Sequence, residues 1–154
     1  MPSKKKILIT RKLPDAVTKR ALMNYEATLN NDDVPYGTDQ MIELSQDKHA
    51  LLCTLTNDMS RGVIERLPDS IGAIATFSVG FEHIDLEAAK EREIIVTNTP
   101  FVLTEATADV AMLLLLGASR RAREGAEMIA SDWSGWTPTQ LMGLSMQKKR
   151  LGIL

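Results

Sequence analysis

Two short apolar runs, with a helix-like segment between them, constrain the fold of this chain most strongly. Residues 74–77 and 94–97 are rich in β-branched residues and do not alternate with polar ones, so each predicts a strand buried on both faces. Asp85 is a suitable N-cap for a helix over residues 86–92 between them. A strand, a helix and a strand make a βαβ unit, so we expect parallel strands with ligand-binding loops at their carboxyl ends.

The first of these strands ends in Ser78, Val79 and Gly80. A glycine just past a buried strand lets the backbone adopt a positive φ and leave successive N–H groups unpaired. Such N–H groups suit an anion, for instance the carboxylate of a substrate. The same residues also fit an ordinary turn from strand to helix, because glycine is the usual residue at such turns.

The other residues before position 99 alternate strand and helix patterns. Strands are predicted at residues 7–10, 25–29 and 51–55, and helices at residues 15–23, 38–45 and 61–67. No internal repeat or low-complexity tract interrupts this order. The sequence therefore predicts an α/β domain over residues 1–99, built on a flavodoxin-like sheet of five parallel strands.

A second segment, residues 100–154, follows the boundary at Asn98-Thr99-Pro100, because proline holds the residue before it extended. Thr104 is the predicted cap of a long helix with acidic residues in its first turn and arginines, up to Arg123, in its last. Beyond Gly125 we expect irregular structure. Residues 110–118 are apolar on every side, which indicates a helix covered by a second domain or a second subunit.

Composition excludes several classes of function. The formal net charge of −2 and the lack of a basic face argue against a nucleic-acid or membrane-surface partner. A single cysteine, Cys53, excludes an internal disulfide and fits a reducing, cytoplasmic location. One cysteine and two histidines, His49 and His83, offer no metal set, and we expect His83 at the surface where a helix begins.

The stretch FSVGFEHIDLEAAKEREIIVTNTPFVLTEATADVAMLLLL resembles the segment of D-isomer-specific 2-hydroxyacid dehydrogenases that joins the substrate-binding domain to the nucleotide-binding domain. The downstream motifs DWSGWTP and KKRLGIL resemble the same family, and most of all its glyoxylate and hydroxypyruvate reductase branch. The resemblance runs from about residue 6 to residue 154. It implies the amino-terminal portion of an enzyme that reduces small 2-oxo acids by hydride transfer from NADH or NADPH.

The resemblance also implies roles for single residues. Val79 and Gly80 would hold the substrate carboxylate through backbone amides, and Ser78 beside them would belong to the same substrate-binding site. Leu55 would line one wall of the substrate pocket, or it is a core leucine at a strand end. Thr107, in the first turn of the long helix, would contact the cofactor, NAD or NADP, or it hydrogen-bonds only its own helix.

The last part of the chain carries two further implications of the resemblance. Trp136 would reach toward the substrate pocket of the other subunit of a homodimer, or both tryptophans pack on their own subunit. Residues 151–154, LGIL, would be the first strand of the dinucleotide-binding domain, which is followed in the family by a glycine-rich turn. This sequence contains no GxGxxG.

We assign no catalytic residue, because the family's proton-donating histidine, its carboxylate partner and its arginine lie further along the chain than residue 154. We therefore expect these residues alone to be inactive. Two alternatives stay open. The chain could be a free-standing, non-catalytic binding or dimerisation module, or it could belong to a relative with the same fold, such as a phosphoglycerate or formate dehydrogenase or a transcriptional corepressor.

Overall fold

A computed structural model describes residues 3–153 of the chain. The chain divides into two compact units, Met1–Val102 and Leu103–Leu154, close to the boundary that the sequence predicts at residues 99 and 100. Among the described residues, no helix has both the length and the apolar character needed to cross a bilayer.

The first unit alternates strands and helices as predicted. Its elements are β1 (Lys6–Ile9), α1 (Asp15–Asn24), β2 (Glu26–Leu29), α2 (Thr38–Leu44), β3 (Ala50–Cys53), α3 (Arg61–Ile64), β4 (Ala73–Thr76), α4 (Leu86–Glu91) and β5 (Ile95–Thr97). The strands form one sheet in the order β2-β1-β3-β4-β5, and every neighbouring pair is parallel. The predicted α/β fold with a five-stranded parallel sheet is confirmed.

The core lies on both faces of this sheet because successive side chains of a strand point to opposite faces. On one face, Leu8 and Ile74 pack in a cluster with Met41 of α2 and with residues of α3 and α4. On the other face, Ile7 and Ile9 form a smaller cluster with residues of α1. Three helices thus cover one face and one helix covers part of the other.

This uneven cover corrects one prediction. The second apolar run was expected to be buried on both faces, but Ile95 of β5 is 65% exposed. The strand lies at the sheet edge, and the cluster around α1 involves β1, β2 and β3 but not β5. A short apolar run shows that a strand has a core-facing side, but it does not show whether a helix covers its second side.

Of the N-caps predicted at Asp85 and Thr104, one is confirmed and the other is wrong. Asp85 does cap α4, since the Ala88 N–H donates to its Oδ1 at 2.8 Å. The predicted cap at Thr104 is wrong, because Thr104 is already the first helical residue and Leu103 precedes it without a side-chain cap.

The second unit contains α5 (Thr104–Ser119) and α6 (Ala122–Ala130). The expected long helix ends earlier than predicted, since Arg121 has a left-handed backbone with φ 57°. The sequence reasoning missed most of α6, which continues past Gly125. Residues 151–153 form no strand here, and Leu154 lies outside the described residues. A strand needs a neighbour to pair with, and the second unit has no strand among its described residues.

The apolar stretch of α5 has no buried residue. Val110, Leu113 and Leu114 are 53%, 68% and 65% exposed. Exposed leucines along a helix are what we expect if the surface that covers them belongs to another domain or another subunit.

Candidate functional site

The residues with the most informative geometry are Ser78, Val79 and Gly80, which follow β4 and are called the amide loop below. All three of their carbonyl oxygens accept hydrogen bonds from nearby groups. Ser78 O accepts from the Thr99 N–H at 2.9 Å, and Val79 O accepts from Asn98 Nδ2 at 2.7 Å. Gly80 O accepts from the Ser78 hydroxyl at 2.7 Å. The carbonyls are therefore held against the protein.

The N–H groups of the same loop are free. Neither the Val79 N–H nor the Gly80 N–H donates a hydrogen bond to any residue between positions 3 and 153. Val79 is 37% exposed, so its surroundings are open to solvent. Unpaired amides at the carboxyl end of a parallel strand agree with the prediction of bare N–H groups, and they can donate to an anion.

The held carbonyls also fix the direction of these amides. A peptide unit is planar, so the Ser78 carbonyl shares a rigid plane with the Val79 N–H, and the Val79 carbonyl shares one with the Gly80 N–H. The bonds from Thr99 and Asn98 thereby set the orientation of both free donors. Such fixed donors lose little freedom when a ligand binds.

The predicted conformation of Gly80 is wrong. Gly135 is the only glycine among residues 3–153 with a positive φ, so Gly80 does not use the left-handed region. The turn is shaped instead by the hydrogen bonds to the loop's carbonyls. A Cβ on Gly80 would lie 2.5 Å from Glu82 Oε2, but this atom is the end of a flexible side chain that can move away, so space alone does not require glycine here.

Behind the amide loop, Thr76, Ser78 and His83 are joined by side-chain hydrogen bonds. Thr76 Oγ1 lies 2.6 Å from Ser78 Oγ and 3.2 Å from His83 Nε2. Ser78 is 7% exposed, so its hydroxyl shapes the loop from inside. A direct contact between Ser78 and a ligand would have to use its backbone.

His83 is not the surface residue that the sequence led us to expect. Its ring is partly buried, and Nδ1 is fully buried without a partner among the described residues. Burial lowers the pKa of His83, while the negative charge of Glu82 acts in the opposite direction. The ring is therefore neutral near physiological pH. His49 has a structural place instead, since its Nδ1 accepts from the Lys6 N–H at 3.0 Å.

Sequence reasoning missed Asn98 and His83. Asn98 was treated only as part of a domain boundary, although it directly follows β5, next to β4 in the sheet. Its position at the carboxyl end of a parallel strand was a usable signal. For His83 the sequence held no comparable signal, because its side-chain partner, Thr76, belongs to β4.

Leu55 follows β3, whose neighbour in the sheet is β4. It is 60% exposed, so the alternative of a core leucine is wrong. The loop around it is anchored by Asn57, whose Oδ1 accepts from the Thr10 hydroxyl at 2.7 Å and from the Thr54 N–H at 3.0 Å. Leu55 is thus an exposed apolar side chain on an anchored loop. This loop follows the carboxyl end of β3, as the amide loop follows the carboxyl end of the neighbouring β4.

A small cleft of about 140 Å³ lies close by in the same unit. It is lined by Phe81, Leu86, Val96, Thr97 and Asn98. Asn98 therefore links the cleft to the Val79 carbonyl. The cleft is mainly apolar, with Thr97 and Asn98 as its polar residues.

Thr107 and Trp136 belong to the second unit. The Thr107 N–H donates to Leu103 O at 2.8 Å, which leaves it unavailable to a ligand. Trp136 is 75% exposed, and this exposure argues against packing on its own subunit. The roles of both residues stay predictions.

The sequence contains no GxGxxG motif, and residues 151–153 do not form the strand that would precede such a turn. Among the residues that the structure describes, no cluster of three His, Cys, Asp or Glu side chains is arranged to hold a metal ion.

Residues 7–135 match the family model of the D-isomer specific 2-hydroxyacid dehydrogenase catalytic domain. Glycerate dehydrogenase of Hyphomicrobium methylovorum is 49% identical over 152 residues, which cover 98% of this chain and 47% of that protein. Glyoxylate reductase of Thermococcus litoralis is 36% identical over 156 residues, with coverage of 98% and 47%. The chain thus spans about half the length of these relatives.

Comparison of the fold with solved structures indicates the same family. A crystal structure from Polaromonas sp. JS6 66, described as a D-isomer specific 2-hydroxyacid dehydrogenase, NAD-binding, superposes with a TM-score of 0.89 at 35% identity. The match covers 97% of this chain and 47% of that one. The resemblance inferred from the motifs is confirmed, and the chain belongs to the D-isomer specific 2-hydroxyacid dehydrogenase family.

Proposed function

We propose that this chain is the substrate-carboxylate-binding part of a longer NAD(P)-dependent reductase of small 2-oxo acids. The observation that carries the proposal is the amide loop, in which three carbonyls are held and the amides of Val79 and Gly80 are free. A carboxylate that accepts from both amides would form charge-assisted hydrogen bonds, which are about twice as strong as neutral ones.

The names of the relatives favour a small substrate with an oxygen on the carbon next to the carboxylate. One relative is a glycerate dehydrogenase and another is a glyoxylate reductase. Glycerate oxidised at C2 is hydroxypyruvate, so the two names describe the same chemistry on neighbouring substrates. We infer glyoxylate or hydroxypyruvate as the substrate class.

In such a reduction the carbonyl carbon gains a hydride and its oxygen gains a proton, and a bound nicotinamide cofactor supplies the hydride. This chain would orient the substrate from its carboxylate end. The exposed Leu55 would limit the size of the substrate's other end. The Thr107 hydroxyl, in the first turn of α5, would contact the cofactor. The cofactor's main site and the acid-base groups would come from residues beyond this sequence.

We further propose a homodimer. The support is the exposed apolar surface of the second unit, where Leu113, Leu114 and Trp136 are 68%, 65% and 75% exposed. Leucine and tryptophan at this exposure are typical of surfaces that a partner covers.

The proposal is tested by kinetics of the full-length protein that carries this chain, with oxidation of NADH or NADPH by glyoxylate as the readout. Gly80→Val places a branched side chain beside the free amides, so the KM for glyoxylate should rise about tenfold or more, the factor expected for a lost hydrogen bond to a charged group. Gly72→Val is the matched control, because a Cβ on Gly72 meets nothing within 4 Å. An unchanged KM in Gly80→Val would refute the carboxylate site.

We expect residues 1–154 to catalyse no oxidation of NADH or NADPH with glyoxylate, because they contain neither the glycine-rich turn nor an assigned proton donor. Turnover by these residues alone would contradict the proposal that the main cofactor site and the acid-base groups come from residues beyond this sequence.

A further inference from the structure

The side chains of Thr76, Ser78 and His83 have one defined direction of hydrogen bonding. The Gly80 carbonyl can only accept, so the single hydroxyl hydrogen of Ser78 is used in the bond to it. Ser78 must then accept from Thr76, which lies 2.6 Å away. The Thr76 hydrogen is thereby also used.

Thr76 therefore has to accept from His83, whose Nε2 lies 3.2 Å away. This requires the neutral tautomer of His83 with its proton on Nε2. The state of the other nitrogen agrees, because Nδ1 is buried without a partner among the described residues and would be costly to protonate. The lowered pKa of His83 has the same cause. The three hydrogen bonds thus form one series, in which His83 is the first donor and the Gly80 carbonyl is the last acceptor.

The series acts on a specific part of the amide loop. The Gly80 carbonyl shares a rigid peptide plane with the Phe81 N–H, whereas Asn98 holds the preceding plane, which contains the Gly80 N–H. Gly80 thus lies between two peptide planes that are both held, and the Phe81 N–H on the second plane, like the Gly80 N–H on the first, donates to no residue between positions 3 and 153. Without the bond from Ser78, glycine is free to rotate on its carboxyl side, because it has no Cβ to limit ψ.

We propose that His83 is a positioning residue for carboxylate binding, and that it acts through Thr76 and Ser78 on the peptide plane that follows Gly80. The inference rests on the proposed function of the amide loop. Loss of the Nε2–H donor should weaken carboxylate binding about fivefold, the factor that one ordinary buried hydrogen bond contributes. In the full-length enzyme the loss should raise KM and leave kcat unchanged.

The first test compares His83→Leu with His83→Gln in the 154-residue chain. Glutamine carries an N–H donor at the same number of bonds from Cα as histidine Nε2, whereas leucine has no donor. Glycolate is the probe, and its dissociation constant is measured from the NMR shifts of the Val79 and Gly80 amides. We expect about fivefold weaker binding in His83→Leu and affinity close to that of the unaltered chain in His83→Gln.

A second pair keeps the test informative if His83→Leu does not fold. Thr76→Val preserves the shape of the side chain and removes the hydroxyl, while Thr76→Ser retains the hydroxyl. Thr76→Val should weaken glycolate binding by a similar factor, and Thr76→Ser should not. The ¹⁵N shifts of the His83 ring in the unaltered chain should show a protonated Nε2 and an unprotonated Nδ1.

The possible failures are distinguishable. If the unaltered chain binds glycolate at the amide loop and all four variants bind equally well, the role of His83 is refuted and the proposed function stands. An Nδ1–H tautomer would also refute the role of His83. If the unaltered chain does not bind glycolate at this loop, the proposed function fails and the role of His83 fails with it.

Discussion

Substitution of Asn98 by alanine tests how the free amide of Gly80 is held. Asn98 Nδ2 donates to the Val79 carbonyl at 2.7 Å, and that carbonyl shares its peptide plane with the Gly80 N–H. In Asn98→Ala the plane loses this bond and gains freedom to rotate. An ordinary hydrogen bond contributes about 1 kcal/mol net, so glycolate should bind about fivefold more weakly.

The neighbouring residue gives a matched control. Thr99 holds the Ser78 carbonyl through its backbone N–H, which alanine also has, so Thr99→Ala should bind glycolate like the unaltered chain. Asn98→Asp should bind more weakly than Asn98→Ala, because a carboxylate cannot donate to the Val79 carbonyl and repels the ligand.

The assay is an NMR titration of each variant with glycolate, preceded by circular dichroism to show that the fold is intact. Equal affinity for Asn98→Ala and the unaltered chain would refute the reasoning, because the held peptide plane would then be irrelevant to binding. Equal weakening in Asn98→Ala and Thr99→Ala would refute it too, because the effect would not depend on the Asn98 amide.

Three further predictions concern the first unit. Cys53 is fully buried and burial raises its pKa to about 11, so it should react with Ellman's reagent at pH 8 only after unfolding, and rapid reaction of the folded chain would contradict its position. Hydrogen bonds from Arg11 and from the Lys12 N–H lower the pKa of Asp33 to about 2. The ionised Asp33 carboxylate should therefore stabilise the fold fully above about pH 4, and this stabilisation should be lost as the pH falls toward 2. The urea midpoint of Asp33→Asn should change less over that pH range. Leu8 is fully buried, so Leu8→Ala should lower the free energy of unfolding by about 2–5 kcal/mol in urea titrations, and a loss under 1 kcal/mol would contradict its place in the core.

The sequence was sufficient to predict the sheet of the first unit. Short β-branched runs separated by helix patterns have few arrangements other than parallel strands, and the cap at Asp85 was read correctly from one residue. It was not sufficient to predict how much each strand is covered. Ile95 is exposed although its run is as apolar as that of a central strand, because cover depends on which helices cross which face.

The candidate site was predicted in part. Val79 and Gly80 were identified from their place after a strand, and their amides are free. The reason given for Gly80 was wrong, since hydrogen bonds from Asn98 and Ser78 shape the turn without a positive φ. Such bonds join residues that are distant in sequence or use side chains whose direction only the fold defines. For the same reason His83 could not be placed from its neighbours in the chain.

The most direct test of carboxylate binding by the amide loop is an NMR titration of the ¹⁵N-labelled chain with glycolate, in which every assigned amide is followed. We predict that the Val79 and Gly80 amide protons show the largest downfield shifts, as expected for new hydrogen bonds to a carboxylate, and that Gly80→Val reduces the affinity. Shifts centred elsewhere in the chain, or saturating shifts at the amide loop that Gly80→Val leaves unchanged, would contradict it.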